Sequence, residues 1–393
     1  MRMVGTTVRG ILMPLFRQGD DLVSIVTEEL IKASKEEGFE FHDKDVVGIT
    51  EAVVARAQGN YATLEQIAKD VRNKIPSGKV GVVFPIMSRN RFSMLLKGIA
   101  MGADSVVVML SYPGDEVGNQ LVTIDKIEES KINPYTDVLT EEQFRSVFGE
   151  CRHTFTNVDY VEYYKSLGDN IEIVFGNNPT MILNFVDDVI AADIHTRNRT
   201  ARKLREAGAN SVFTMCDILS EPVDGSGFNP DFGILGSNKA SEDRVKLFPR
   251  SCKEFVDALS KSLREATSKN IEVMIYGDGA FKDPVGGIWE LADPVVSPAY
   301  TDGLIGLPNE LKLKYIADNQ LNDLSSEEAE KVMIEKIREH KEKGTNIGMQ
   351  SQGTTPRRLT DLLGSLCDLT SGSGDKGTPV ILIQGYFDNY SVR

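Results

Sequence analysis

Cysteine, histidine and tryptophan are scarce in this chain of 393 residues, at four, four and one. Cys151, Cys216, Cys252 and Cys367 show no CxxC spacing, which argues for reduced, buried thiols over a disulfide framework or a zinc site. His42, His153, His195 and His340 form no HExxH and no other metal spacing. His153 and His195 stand in polar segments and read either as substrate contacts or as ordinary histidines. A GxxxxGK[ST] P-loop and a GxSxG elbow are missing, and no strand of the middle region opens into GxGxxG, which weakens a dinucleotide enzyme built there and a nucleophilic hydrolase. No apolar run approaches the ~18–20 residues that cross a bilayer. The first residues lack the charged start and apolar core of a secretory signal. Positive charge is in deficit: the net charge is −14 and the pI near 4.9. That balance argues against nucleic acid or an anionic membrane as partner, without forbidding a local basic pocket. A cytoplasmic protein is the expectation.

What is present is ordinary globular material, 41% hydrophobic and 26% charged. The length suits two or three domains, or one core carrying a large insertion. Near the N-terminus, Leu22, Ile25, Val26, Leu30 and Ala33 recur at helical spacing, with Asp20 placed to cap the helix and Gly38 to end it. Val46-Val47-Gly48-Ile49 reads as a buried strand, and Val53-Val54 as extended chain carrying Arg56 into Gly59. From about residue 75 to 225, strand candidates at Val80–Phe84, Ser105–Met109 and Ile171–Phe175 alternate with helical stretches at Phe92–Met101 and Thr200–Ala207. Such alternation predicts a mostly parallel α/β layer. Further on, Lys253–Ala266 reads as a helix and Ile271–Tyr276 as a strand. Ser325–Lys343 reads as a charged helix and Pro379–Gly385 as an apolar strand.

The middle region contains an internal echo. Ser88-Arg89-Asn90-Arg91 opens a helix that ends at Gly102-Ala103-Asp104-Ser105-Val106. Thr196-Arg197-Asn198-Arg199 opens one that ends at Gly208-Ala209-Asn210-Ser211-Val212. Both copies put arginines at a helix N-terminus, where free N–H groups favour an anion. Two readings stand: Arg89, Arg91, Arg197 and Arg199 bind an acidic substrate, or they pair with the chain's own carboxylates.

Asp278 follows an apolar strand and lies between Gly277 and Gly279, where α/β proteins place ligands. Its carboxylate suits Mg²⁺ or Mn²⁺ and the glycines admit a phosphate, although Gly-Asp-Gly is also a common turn. Asn238 lies in the polar loop Gly236-Ser237-Asn238-Lys239. Arg56 offers a cation to phosphates. Arg357 and Arg358 precede a further helix, and Ser373 sits in a glycine-rich loop.

In this order the parts resemble the coenzyme F420-0:L-glutamate ligase family, over roughly residues 8–60, 229–290 and 355–390. Arg9 and Gly10, Glu51 and Arg56, Ser237 and Asn238, and Ser373 stand at what resemble the family's nucleotide-contact segments. Asp278 matches one metal aspartate. Leu235 stands in place of the other, Gly279 in place of a metal-binding threonine, and Ser373 where glutamine or glutamate is usual. Oxygen from Asp231, Asp224, Asp283 or Glu51 would have to substitute, or else Asp278 binds metal with phosphate and water, or catalysis has been lost.

The resemblance implies a mixed α/β fold with a discontinuous core (1–70 and 226–393) and an inserted, mostly parallel α/β domain (71–225). It also implies a GTP-dependent γ-glutamyl ligase that adds glutamate to an acidic cofactor precursor, with Mg²⁺ or Mn²⁺, in a homodimer of coenzyme F420 biosynthesis. Asp278, Arg357 and Arg358 are the expected catalytic residues. A folate-type acceptor, a non-catalytic nucleotide sensor of the same fold, and an unrelated α/β enzyme built on the middle region remain alternatives.

Overall fold

A computed structural model describes residues 4–153, 156–277, 281–282, 289–290, 297–305, 325, 328–329, 331–332, 334–335, 358–372 and 376–388. The chain opens with β1 (Thr7–Ile11), α1 (Leu22–Glu37), β2 (Val46–Thr50), α2 (Glu51–Gln58), β3 (Tyr61–Thr63) and α3 (Leu64–Lys74). It continues through β4 (Lys79–Val83), α4 (Phe92–Gly102), β5 (Ser105–Leu110), α5 (Ile124–Ser130), β6 (Leu139–Thr140), α6 (Glu141–Phe148) and α7 (Tyr160–Lys165). Then come β7 (Ile171–Phe175), β8 (Asp188–Ala191), α8 (Arg197–Glu206), β9 (Ser211–Thr214), β10 (Asn238–Lys239) and β11 (Arg244–Lys246). The last part holds α9 (Cys252–Thr267), β12 (Glu272–Tyr276), the short pair β13 (Phe281–Lys282) and β14 (Trp289–Glu290), α10 (Leu359–Ser371) and β15 (Val380–Gln384).

Strands far apart in sequence form a four-stranded sheet in the order β1-β15-β2-β12. β12 runs parallel to β2, with Tyr276 opposite Thr50, while β15 is antiparallel to both β2 and β1. All five residues of β2 are buried, as a strand covered on both faces requires. On one face Leu22, Val26 and Leu30 of α1 meet Val256, Leu259 and Leu263 of α9. Each such fully buried aliphatic side chain stabilises by about 1.5–3 kcal/mol. On the other face α10 adds Leu363 and Cys367 against Val46, Met274 and Ile383.

The middle of the chain builds a six-stranded sheet in the order β6-β7-β5-β4-β8-β9, parallel except for β6. This is the expected parallel α/β layer, and the protein is of mixed α/β class. The sequence echo becomes two β-α-β units, β4-α4-β5 and β8-α8-β9, which meet at the β4–β8 pairing. One core cluster of this sheet draws in Leu64 and Ile67 together with Ile234, Leu235, Val245 and Leu247. The chain enters and leaves this region at one point: Asn60 Nδ2 donates to the Phe248 carbonyl (2.6 Å) and Gln58 Nε2 to the Arg250 carbonyl (2.6 Å).

Three local readings need correction or completion. The helix after Gly19 is capped by Asp21, whose Oδ1 accepts from Ser24 N–H, whereas Asp20 accepts from Arg17 N–H in the preceding turn. Residues 51–58, expected to be extended, form α2, and Arg56 lies in its last turn. Alanine, glutamate and glutamine favour helix, and the helical turn puts Val54 and Ala57 together into the core. Gly59 then ends the helix at φ 61°, the left-handed conformation that favours glycine. The charged helix expected over 325–343 lies largely outside the described residues.

Candidate active site

The register of the four-stranded sheet brings several chain ends to one edge. β2 and β12 finish there, β1 finishes there, and β15 begins there. Thr50 N–H donates to the Pro379 carbonyl (3.0 Å) and Met13 N–H to the Gly377 carbonyl (3.3 Å), which ties these ends together. A cleft of about 380 Å³ opens over them, lined among others by Phe16, Thr50, Val53, Arg56 and Lys246. The start of α2 thus faces the cleft beside two cations. Carboxyl ends of strands with a helix start and paired cations are a common arrangement for binding an anion.

Lys246 was not visible in the sequence. It ends β11, the central strand of the sheet β10-β11-β3, where it stands opposite both Asn238 and Tyr61. Asn238 is therefore one strand away from a cleft residue. Ser237 precedes it but is 1% exposed, and its hydroxyl is turned inward to donate to the Ile234 carbonyl (2.8 Å).

Leu235 is 4% exposed and faces a small apolar pocket with Ile86, Phe92 and Leu95. Arg91 and Ser237 line the same pocket. Asn229, also missed from the sequence, shapes this loop. Its Oδ1 accepts from Asp231 and Phe232 N–H (3.0 and 2.9 Å), and its Nδ2 donates to the Phe248 and Pro249 carbonyls.

Of the carboxylates that might replace the missing one, Asp224 is paired with Lys69 (2.5 Å). Glu51 is buried at the start of α2, and Asp231 is exposed. Both bear on the Cys252 thiol, which is pushed up to about 12, first by burial and then by Glu51, Glu254 and Asp231. Among the described residues no three His, Cys, Asp or Glu side chains converge as a metal cluster. Asp278, Gly279, Asp283, Arg357 and Ser373 lie outside the described residues.

Other expected residues are placed as follows. Arg9 sends its guanidinium to Gln384 Oε1 (2.6 Å) and over the Phe39 ring (4.8 Å). Gly10 fits beneath Thr378, whose Cβ would stand 2.9 Å from an added side chain. Arg358 is exposed at the start of α10, where its N–H donates to Asp361. Arg89 and Arg91 follow β4, and Arg197 and Arg199 follow β8, at the carboxyl edge of the six-stranded sheet; the Asn90 carbonyl between the first two accepts from Lys239 N–H of β10 (2.9 Å). His153 is buried: Nδ1 accepts from Thr156 N–H (3.1 Å), so Nε2 carries the proton toward Asn119 (3.1 Å). Its pKa is lowered by burial and then by Arg89.

A sequence model of the family described as F420-0:Gamma-glutamyl ligase matches residues 10–385, nearly the whole chain. The chain belongs to the F420-0:gamma-glutamyl ligase family. Among curated proteins none matches it. The matched residues include both the six-stranded region and the terminal sheet. Within the described residues no helix is long and apolar enough to cross a membrane.

Proposed function

We propose that the protein is a GTP-dependent γ-glutamyl ligase that joins glutamate to an acidic cofactor precursor of the coenzyme F420 type. The observation that carries this reading is the cleft at the shared strand edge, with the start of α2, Arg56 and Lys246 around it. In the proposed reaction an acceptor carboxylate oxygen attacks the γ-phosphorus and the nucleoside diphosphate leaves. The glutamate amine then attacks the acyl phosphate, phosphate leaves, and the amine proton goes to solvent or a nearby base. Arg56 and Lys246 neutralise charge on the triphosphate, and the cleft walls hold the reacting groups together. Mg²⁺ or Mn²⁺ fits an all-oxygen donor set, and Glu51, Asp231 and Asp278 are the residues that would hold it. When bound, such an ion neutralises phosphate charge.

As part of the same reading, residues 60–248 form the inserted unit and the rest the ligase core, in a homodimeric cytoplasmic enzyme. The four free thiols suit such a compartment. The test mixes protein, glutamate, GTP or ATP, Mg²⁺ or Mn²⁺ and candidate acceptors, folates included, and follows phosphate release. Acceptor-dependent release that disappears in Asp278→Asn supports the ligase. Nucleotide binding without turnover favours a second reading, a sensor of the same fold, for which the burial of Leu235 in apolar surroundings is the specific support.

A further inference from the structure

Arg91, just ahead of α4, and Ile194, just ahead of α8, line one pocket. β4 and β8 are neighbours, and α4 and α8 leave them toward opposite faces. α4 joins the apolar cluster around Leu96 and Ile99, and α8 joins the other, through Leu204. Doubly wound sheets bind ligands at such a reversal of strand order, outside the carboxyl ends. Here a narrow pocket of about 30 Å³ runs beneath Arg91, with apolar walls from Ile86, Leu95 and Met215. Arg91 is 8% exposed, a charge held almost wholly inside the protein.

Two carboxyl groups share the crevice. Asp193 is 1% exposed and sits between Ala192 and Ile194, both of which line the pocket. Its Oδ2 accepts from the Thr196 and Thr200 hydroxyls (2.6 and 2.9 Å), while its Oδ1 has no hydrogen-bond partner among the described residues. Glu116 reaches over from the loop after β5 and accepts from the N–H groups of Ile194 and His195, the latter at 3.1 Å. Asp115 anchors that loop by accepting from Met87, Val117 and Asn119 N–H. The backbone donors ahead of α8 therefore already hold a carboxylate, one that the chain supplies itself. Arg89 and Arg199 are exposed, and Arg89 bears on the buried His153 and Tyr160. Arg197 donates to the Ile194 carbonyl.

We propose that this crevice, whose pocket is also lined by Leu235, Gly236 and Ser237, is a second ligand site apart from the cleft around Arg56 and Lys246. It takes the oxyanion end of a small acidic molecule, and Glu116 is the internal carboxylate that the ligand displaces. Arg89, Arg91 and Arg197 attract the oxyanion, Ile194 and His195 donate to it once Glu116 swings out, and the pocket beneath Arg91 takes a short apolar portion. Planar carboxylate and tetrahedral phosphate share this chemistry.

The test is calorimetric titration of the full chain, without nucleotide, with citrate and with pyrophosphate. Saturable binding of one of them is expected, and the preferred probe tells carboxylate from phosphate. Glu116→Gln removes the competing charge and should tighten binding about tenfold. Arg89→Gln combined with Arg197→Gln should weaken it at least tenfold with an unchanged melting temperature. Arg56→Ala should leave it untouched while weakening GTP, so this site and the nucleotide reading fail separately. The proposal is overturned by absence of binding in both wild type and Glu116→Gln. It is equally overturned if the Glu116 variant and the double arginine variant bind like wild type, or if Arg56→Ala abolishes binding.

Discussion

Arg56 and Lys246 reach the same cleft from a helix end and from a three-stranded sheet. Only the first was legible in the sequence, through the family resemblance. Nothing local marks Lys246, because its place depends on β11 pairing with a strand almost two hundred residues earlier. Charge-assisted contacts are worth roughly 1.5–3 kcal/mol. Lys246→Ala should therefore weaken GTP at least about tenfold in a binding titration, and equal affinity would remove Lys246 from the site.

Buried amides carry a different load. Asn60 is fully buried and serves Phe228 N–H, the Phe248 carbonyl and Arg250. Asn60→Ala leaves those groups unserved and should lower unfolding free energy by roughly 2–4 kcal/mol, measured by denaturant titration.

Asp45 supplies a pH signature. It is 1% exposed and accepts from Gln384 Nε2 (2.6 Å), with His42 Nδ1 at 3.8 Å. Burial, the largest influence, raises its pKa. A raised carboxyl favours the folded state below about pH 4, and that contribution is lost as pH rises through the raised value. Asp45→Asn lacks this dependence, so the stability of wild type relative to the variant should fall from pH 4 to pH 7. A constant difference would show that Asp45 titrates as it does in the unfolded chain.

At the scale of elements, long periodic segments were readable and short ones were not. α1, α4, α9 and the strands β4, β5, β7, β12 and β15 follow from apolar spacing. α2 was misread because Val53-Val54 looks extended locally, while the packing of Val54 and Ala57 decides in favour of helix. β8 and β9, each four residues, offer too few side chains for a period to show. Gly48 illustrates the opposite case, a strand glycine whose reason is tertiary. An added Cβ would run into Cys367 Sγ of α10. Gly48→Ala should cost about 1–3 kcal/mol through overpacking between β2 and α10, observable as a lower denaturation midpoint.

For the molecule as a whole, the parallel layer was evident from strand–helix alternation, whereas the pairing of Asn60 and Gln58 with Phe248 and Arg250, residues nearly two hundred positions apart, left no local mark in the sequence. Excising residues 71–225 would strip partners from Leu64, Ile67, Ile234 and Leu247 and should yield aggregated protein on size-exclusion chromatography. Excision of 60–248, which removes those side chains together with their partners, should remain monodisperse.

The cysteines of this chain also have a practical consequence. Burial raises the pKa of Cys151, Cys216, Cys252 and Cys367 alike, so little thiolate exists at neutral pH. Maleimide should therefore label the native protein slowly. A single cysteine introduced on an exposed surface would take up a fluorophore against a quiet background, so the six-stranded layer can be labelled without first removing any native sulfur.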